Sequence, residues 1–328
     1  MAVRSTGTAR ERETAIAAAV AALAAGRLVG LPTETVYGLG ADATDGGAVA
    51  DIYAAKGRPT FNPLIAHVPD LATAERHGLF DARARALARA FWPGPLTLVV
   101  PRRPGSPITD LVSAGLDTVG LRVPADAVTR EILSRFGRPV AAPSANRSGR
   151  VSPTRAEDVV EELGDAVAEV VDTGPTPVGV ESTIVAVFDD RPRLLRPGGV
   201  TREAIAAVIG KPLVDAAPLG EGARPLAPGM LVSHYAPTAR VRLDATTIEP
   251  GEAAIGFGPT RPAGWERAVA VFDLSPSGDL REAAANLFRA LRDLDATGAT
   301  SIAVAPIPRQ GLGEAIVDRL GRAAAPRP

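Results

Sequence analysis

Between Leu28 and Val68 two short apolar runs, Leu28–Leu31 and Leu64–Ala66, each stop at polar residues, with a helically spaced segment between them. No other stretch constrains the fold as tightly. Runs this short, the first closed by a proline that cannot donate to a ladder, read as buried strands, and Asp45–Ala55 reads as a helix. The first strand delivers Thr33, Glu34, Thr35 and Tyr37 to its carboxyl end. There, Gly38 and Gly40 are expected to turn the backbone tightly or let it approach a ligand. The helix ends at Lys56-Gly57-Arg58, so two cations stand beside a hydroxyl-rich strand end. The second strand ends on His67, one of only 3 histidines.

At 328 residues the chain exceeds the usual single core, so two domains are expected. Residues 1–211 read as the first, 212–238 as a Pro/Gly-rich linker or lid, and 239–328 as the second. In the first, Ala15–Ala25, Ala82–Phe91, Ala125–Phe136 and Thr201–Ile209 have helical spacing. Leu96–Val100, Val119–Val123, Pro139–Ala142, Ala166–Val171 and Val178–Val187 read as strands. Thr154 followed by Glu157 has the spacing of a capping box. In the second, strands at Ala239–Leu243, Ala253–Phe257, Ala268–Leu274 and Ser301–Ala305 alternate with helices at Asp279–Leu294 and Gly313–Arg322, the pattern of a small parallel α/β sheet.

Charge and composition narrow the function. Hydrophobic residues make up 46% and charged residues 22%, as in ordinary soluble domains. Lys and Arg total 36 against 37 Asp and Glu, so no overall basic field points to nucleic acid and any RNA contact must be local. The absence of cysteine excludes disulfides, thiolate metal sites and cysteine nucleophiles, and suits a cytoplasmic chain. No apolar run reaches the ~20 residues of a membrane span.

Taken alone, Lys56-x-Arg58 reads as solvated charge after a helix, Ser144-x-Asn146 as a local turn and His67 as a core histidine. Taken together they read differently. Arg122, Arg147, Arg150 and Arg196 each lie near a strand end or a Gly/Pro turn, and α/β sheets bind ligands outside strand ends. The joint pattern points to a polyanion, best a nucleoside triphosphate, held by lysine and forked arginines. There is no GxxxxGK[ST] loop, GxGxxG, HExxH or GxSxG.

The segments PTETVYGLG, KGRP-x-x-NPL, WPGPLT, GLRVP, APSAN, SPT, VESTI and LLRPG closely resemble the YrdC/Sua5 family of L-threonylcarbamoyladenylate synthases. APGM-x-x-x-HYAP, followed by a further α/β domain, resembles its longer branch. The resemblance implies an α/β chain: a twisted mixed YrdC-like sheet with a concave basic face, then a smaller Rossmann-like domain. It implies condensation of L-threonine with bicarbonate and ATP to threonylcarbamoyl-AMP and pyrophosphate, with Mg2+ on the triphosphate. The product would pass to the machinery that modifies adenosine 37 of tRNAs reading ANN codons.

Carried over by motif, Thr35, His67, Arg122, Ser144 and Ser182 would hold threonine. Arg58, Asn62, Thr118, Asn146, Ser152, Arg196 and Tyr235 would hold ATP, while Lys56 and Arg58 would act on the phosphates without a protein nucleophile or resident metal. Two rivals stand beside this reading. A double-stranded RNA or tRNA-binding module predicts salt-sensitive RNA affinity without pyrophosphate release. Transfer from carbamoyl phosphate belongs to larger zinc-finger fusions, which a chain without cysteine does not resemble.

Overall fold

Among the described residues eleven strands form one mixed sheet, whose strand ends carry His67, Thr118, Arg122 and Arg196. A computed structural model describes residues 1–189, 191–216, 225–229 and 234–326. These divide into one unit of Met1–Ser148, Pro153–Thr176 and Glu181–Met230, and another of Gly149–Ser152, Pro177–Val180 and Leu231–Pro328. The expected linker, 212–238, lies partly outside the described residues.

The first unit holds β1 (Ala2–Ser5), β2 (Val29–Leu31), β3 (Gly38–Asp42), β4 (Ile65–His67), β5 (Leu96–Pro101), β6 (Thr118–Arg122), β7 (Val140–Ala141), β8 (Glu169–Asp172), β9 (Thr183–Ala186), β10 (Arg193–Arg196) and β11 (Val214–Asp215). Their order is β1-β8-β2-β3-β7-β4-β6-β5-β9-β10-β11. Parallel pairs, β4 with β6 and β5 with β9, alternate with antiparallel ones, β5 with β6 and β4 with β7.

The side chains of a strand alternate between faces, so the register assigns each residue to one side. Ala66, Leu98, Leu121 and Val185 face the larger core, which also takes Ile52, Leu87 and Ile205 from the helices. Ile65, Val99 and Ile184 face the other way into a small apolar cluster with Leu195 and Ala227. A third cluster joins helix Ala9–Ala24 to helix Ala127–Phe136 through Ile16, Leu23, Ile132 and Leu133.

Three local expectations change. Gly38 and Gly40 do not turn the chain but run in β3, antiparallel to β2. A Cβ on Gly40 would lie 2.7 Å from Leu31 Cδ1, so the Leu31 side chain would have to shift to admit one. Helix Ala156–Leu163 is closed by Asp158 rather than Glu157: its carboxylate accepts from the amides of Thr154 (2.9 Å) and Arg155 (3.0 Å). The run from Val178 is a strand only over Thr183–Ala186, and Ser182 sits just before it.

The second unit is a parallel sheet of β12 (Arg240–Arg242), β13 (Glu252–Gly256), β14 (Val271–Asp273) and β15 (Ser301–Val304), in the order β12-β15-β13-β14. All three of its strand pairs are parallel, as the strand–helix alternation predicts. Helix Leu280–Asp295 buries Leu287, Phe288 and Leu291.

Candidate active site

On the face opposite the main core, β4, β6 and β5 carry polar residues, and Ser182 stands just before β9. His67 and Arg122 are register partners at the ends of β4 and β6, and Thr97 stands on the same side of β5. Gly120 lies two residues before Arg122 on this face. The nearest atoms to a Cβ there would be Thr97 Cγ2 (3.6 Å), Ile65 Cγ1 (3.7 Å) and Leu64 O (3.8 Å), all at ordinary contact distance, so the backbone at Gly120 lies bare of side chain in the floor of the site.

At the far end of β4 and β6, Arg122 is 4% exposed and donates through Nη2 to Glu34 Oε1 (2.7 Å) and Thr35 Oγ1 (2.9 Å). Its Nε is buried and meets no acceptor among the described residues. The Thr35 hydroxyl lies 2.8 Å from that of Thr33, which donates to the carbonyl of Val36 (2.6 Å). His67, 3% exposed, has Nδ1 3.3 Å from the carbonyl oxygen of Ile65. Burial, and then the charge of Arg122, push its pKa down from 6.5 to about 3, so the ring is neutral at working pH.

Beside this end, Ser182 is buried with its hydroxyl 2.8 Å from that of Thr97. Arg196 forks onto it, donating to the Ser182 carbonyl from Nε (3.2 Å) and Nη2 (2.9 Å) and to its hydroxyl (3.2 Å). Gly198 makes this turn possible, since a Cβ on it would lie 2.3 Å from the carbonyl oxygen of Glu181.

At the near end, Arg58 donates to the carbonyls of Asn62 (3.2 Å) and Pro63 (2.9 Å), just before β4 begins. Asn62 Oδ1 and Thr118 Oγ1 are buried without a partner among the described residues. Buried polar atoms are seldom left unpaired, and those at a ligand site are satisfied by the ligand.

Lys56 closes helix Gly46–Lys56, capped by Gly57 in the left-handed region at φ 59. The lysine side chain is 3% exposed and donates to the carbonyls of Ser144 and Asn146. Its own carbonyl accepts from Ser148 N at 2.7 Å. Burial holds its pKa well below the ordinary lysine value and Arg58 adds to this, while Glu162 and Glu181 oppose. Lys56 therefore binds the Ser-x-Asn loop instead of projecting into solvent.

Ser152 and Tyr235 belong to the second unit, where both are buried. Tyr235 takes the left-handed φ of 64 that non-glycine residues rarely adopt. Its ring stacks on Phe288 (5.5 Å between centroids), and the Arg319 guanidinium lies 5.2 Å from it. The next residue, Ala236, donates its amide to Gly149 (2.8 Å).

The structure thus links the expected residues in four groups: Thr35, His67 and Arg122; Arg58 and Asn62; Lys56, Ser144 and Asn146; and Ser182 with Arg196. Glu34, Thr33 and Thr97 had no role assigned from the sequence. The signal that could have revealed Glu34 is physical: an arginine on a strand flanked by apolar alternation is buried, and a buried arginine needs a counter-charge.

A family model described as "Telomere recombination", for Sua5, YciO and YrdC, matches residues 21–198, more than half of the chain. The chain belongs to the Sua5/YrdC family. A second model, described as "Threonylcarbamoyl-AMP synthase, C-terminal domain", matches residues 200–325, which places the chain in the two-domain Sua5 branch. A Bacillus subtilis threonylcarbamoyl-AMP synthase is 42% identical over 95% of this chain and 93% of its own. A Pyrococcus abyssi synthase is 40% identical over 91% and 90%. The crystal structure of P. abyssi Sua5 complexed with L-threonine matches with a TM-score of 0.86 and 36% identity, covering 98% of this chain and 97% of that one.

Proposed function

We propose that this Sua5-type chain is an L-threonylcarbamoyl-AMP synthase, a nucleotidyltransferase that joins L-threonine, bicarbonate and ATP and releases pyrophosphate. The observation that carries the reading is the bare Gly120 floor, with orphaned donors and acceptors at both ends of its strands. At one end, Arg122 takes the threonine carboxylate through its unfilled Nε–H, and Thr35, neutral His67 and Ser182 surround the rest of the amino acid. At the other, Asn62 and Thr118 take the nucleotide and Arg58 its phosphates, while Arg196, held beside Ser182, adds its charge to the phosphates from the amino-acid end. Lys56 shapes the Ser144–Asn146 loop from beneath. Ser152 and Tyr235, in the second unit, are assigned to ATP on the family resemblance alone.

The chemistry fits these residues. The threonine ammonium first gives up a proton to water; the free amine then attacks the carbon of bicarbonate and water leaves, giving a carbamate that survives only briefly in water. A carbamate oxygen then attacks the α-phosphorus and pyrophosphate departs. The site must exclude water and hold that oxygen in line with the phosphate, and neither task needs a protein nucleophile. Guanidinium groups fixed before the reaction stabilise the charge that develops on the phosphates.

Among the described residues, no group of three or more His, Cys, Asp or Glu side chains is placed to hold a metal. Magnesium would enter with the nucleotide substrate, coordinated by phosphate oxygens and water. Among the described residues no helix is long and apolar enough to cross a membrane. We place the enzyme in the cytoplasm, handing its adenylate to the tRNA threonylcarbamoyl transferase machinery.

The test is pyrophosphate release from ATP, measured with threonine and bicarbonate together and singly. Release should need both, and Arg58→Ala or Ser144→Ala should remove most of it while the fold persists. Near-normal rates in both variants would overturn the site assignment. Salt-sensitive RNA binding without pyrophosphate release would favour the RNA-module reading instead.

A further inference from the structure

Glu34 is tied into the amino-acid end of the site from several sides. One carboxylate oxygen accepts from Arg122 at 2.7 Å, and the other from the backbone amide of Ala125 at 2.8 Å. Ala125 directly precedes Asp126, the N-cap of helix Ala127–Phe136. That helix also clamps the Glu34 loop, because the Thr129 hydroxyl donates to the Pro32 carbonyl at 2.6 Å. Glu34 is 8% exposed, so its charge meets Arg122 in a water-poor setting.

Arg–carboxylate pairs frequently use both carboxylate oxygens on the guanidinium fork. This one does not. Glu34 spends its second oxygen on the backbone, and Arg122 Nε–H is left buried with no acceptor among the described residues. The pair is therefore charge-balanced while one donor, Nε–H, stays unfilled. A zwitterionic amino acid brings a carboxylate to that donor and no net charge. A simple carboxylate would bring an uncompensated charge into the buried site, which is costly.

We propose that Glu34 is a specificity-determining residue: as the built-in counter-ion of Arg122, it makes the pocket accept a zwitterionic amino acid and reject simple anions. This rests on the reading of Arg122 as the partner of the threonine carboxylate. With Glu34→Gln, which keeps the shape and an acceptor for Ala125, the pocket carries a net positive charge. Simple anions then compete with threonine.

The experiment is threonine-dependent pyrophosphate release at constant ionic strength, titrated with sodium acetate, in the wild type, E34Q, E34D and R122A. The wild type should be indifferent to acetate. In E34Q acetate should become competitive with threonine, raising the apparent threonine KM as acetate is added. E34D, which restores the charge, should regain indifference to acetate. A threonine KM in E34Q that acetate does not move overturns the proposal. So does competitive acetate inhibition of the wild type, a result that stands even if no variant folds. An unchanged threonine KM in R122A would instead remove the pocket assignment beneath it.

Discussion

Acidification should cost the first unit stability through His67, by an amount the structure sets. The ring is buried and its pKa is held at about 3, against 6.5 when exposed. Between those values the unfolded chain binds a proton on this residue and the folded chain does not. Stability from this source is therefore intact above pH 6.5 and falls as the pH drops, levelling off near pH 3. Each pH unit below 6.5 costs about 1.4 kcal/mol, so the penalty at pH 5 is about 2 kcal/mol. The perturbation is His67→Asn, which removes the titrating group.

Urea unfolding at pH 7 and pH 5, in a Trp265→Phe background so that Trp92 reports the first unit, gives the four stabilities needed. Carboxylates elsewhere titrate alike in both proteins and cancel in the difference. The parent should lose about 2 kcal/mol more than the Asn variant on going to pH 5. Equal losses would refute the claim that His67 is held neutral.

Other consequences follow from single positions. Gly120→Ala should fold normally, since its Cβ meets only ordinary contacts, whereas Gly120→Phe should keep a cooperative melt but lose pyrophosphate release, because the ring covers the floor. Gly198→Ala should cost roughly 1–3 kcal/mol and most turnover, since its Cβ would strike the backbone at Glu181 O (2.3 Å) and Thr183 N (2.4 Å). Chemical unfolding and the pyrophosphate assay check both, and a fully active, stable Gly198→Ala would show that the Ser182 turn can yield.

The strand ends were legible in the sequence because they are local: apolar runs closing at Pro32 and His67, and a helix closing at Lys56-Gly57. The parallel sheet of the second unit was legible for the same reason. Strand β3 was not, because glycines at Gly38 and Gly40 carry no side chain to show a period of two. Their neighbours are set by the fold: a Cβ on Gly40 would meet Leu31 Cδ1 at 2.7 Å, and one on Gly38 would meet Ala142 Cβ at 3.2 Å. Nor could local pattern show which polar groups meet. Lys56 reads as solvated charge, yet it is buried beneath carbonyls about 90 residues further along the chain. Glu34 and Arg122, 88 positions apart, become partners only through the folded register of β4 with β6 and the clamp from helix Ala127–Phe136.

The central claim is that one sheet face holds an amino acid at the Arg122 end and a nucleotide at the Arg58 end. Calorimetric titration of L-threonine and of ATP, each into Arg122→Ala and Arg58→Ala, addresses it directly. Arg122→Ala should lose threonine while still binding ATP, and Arg58→Ala should lose ATP while still binding threonine. If each variant lost both ligands equally, or neither, the two-ended site would be contradicted.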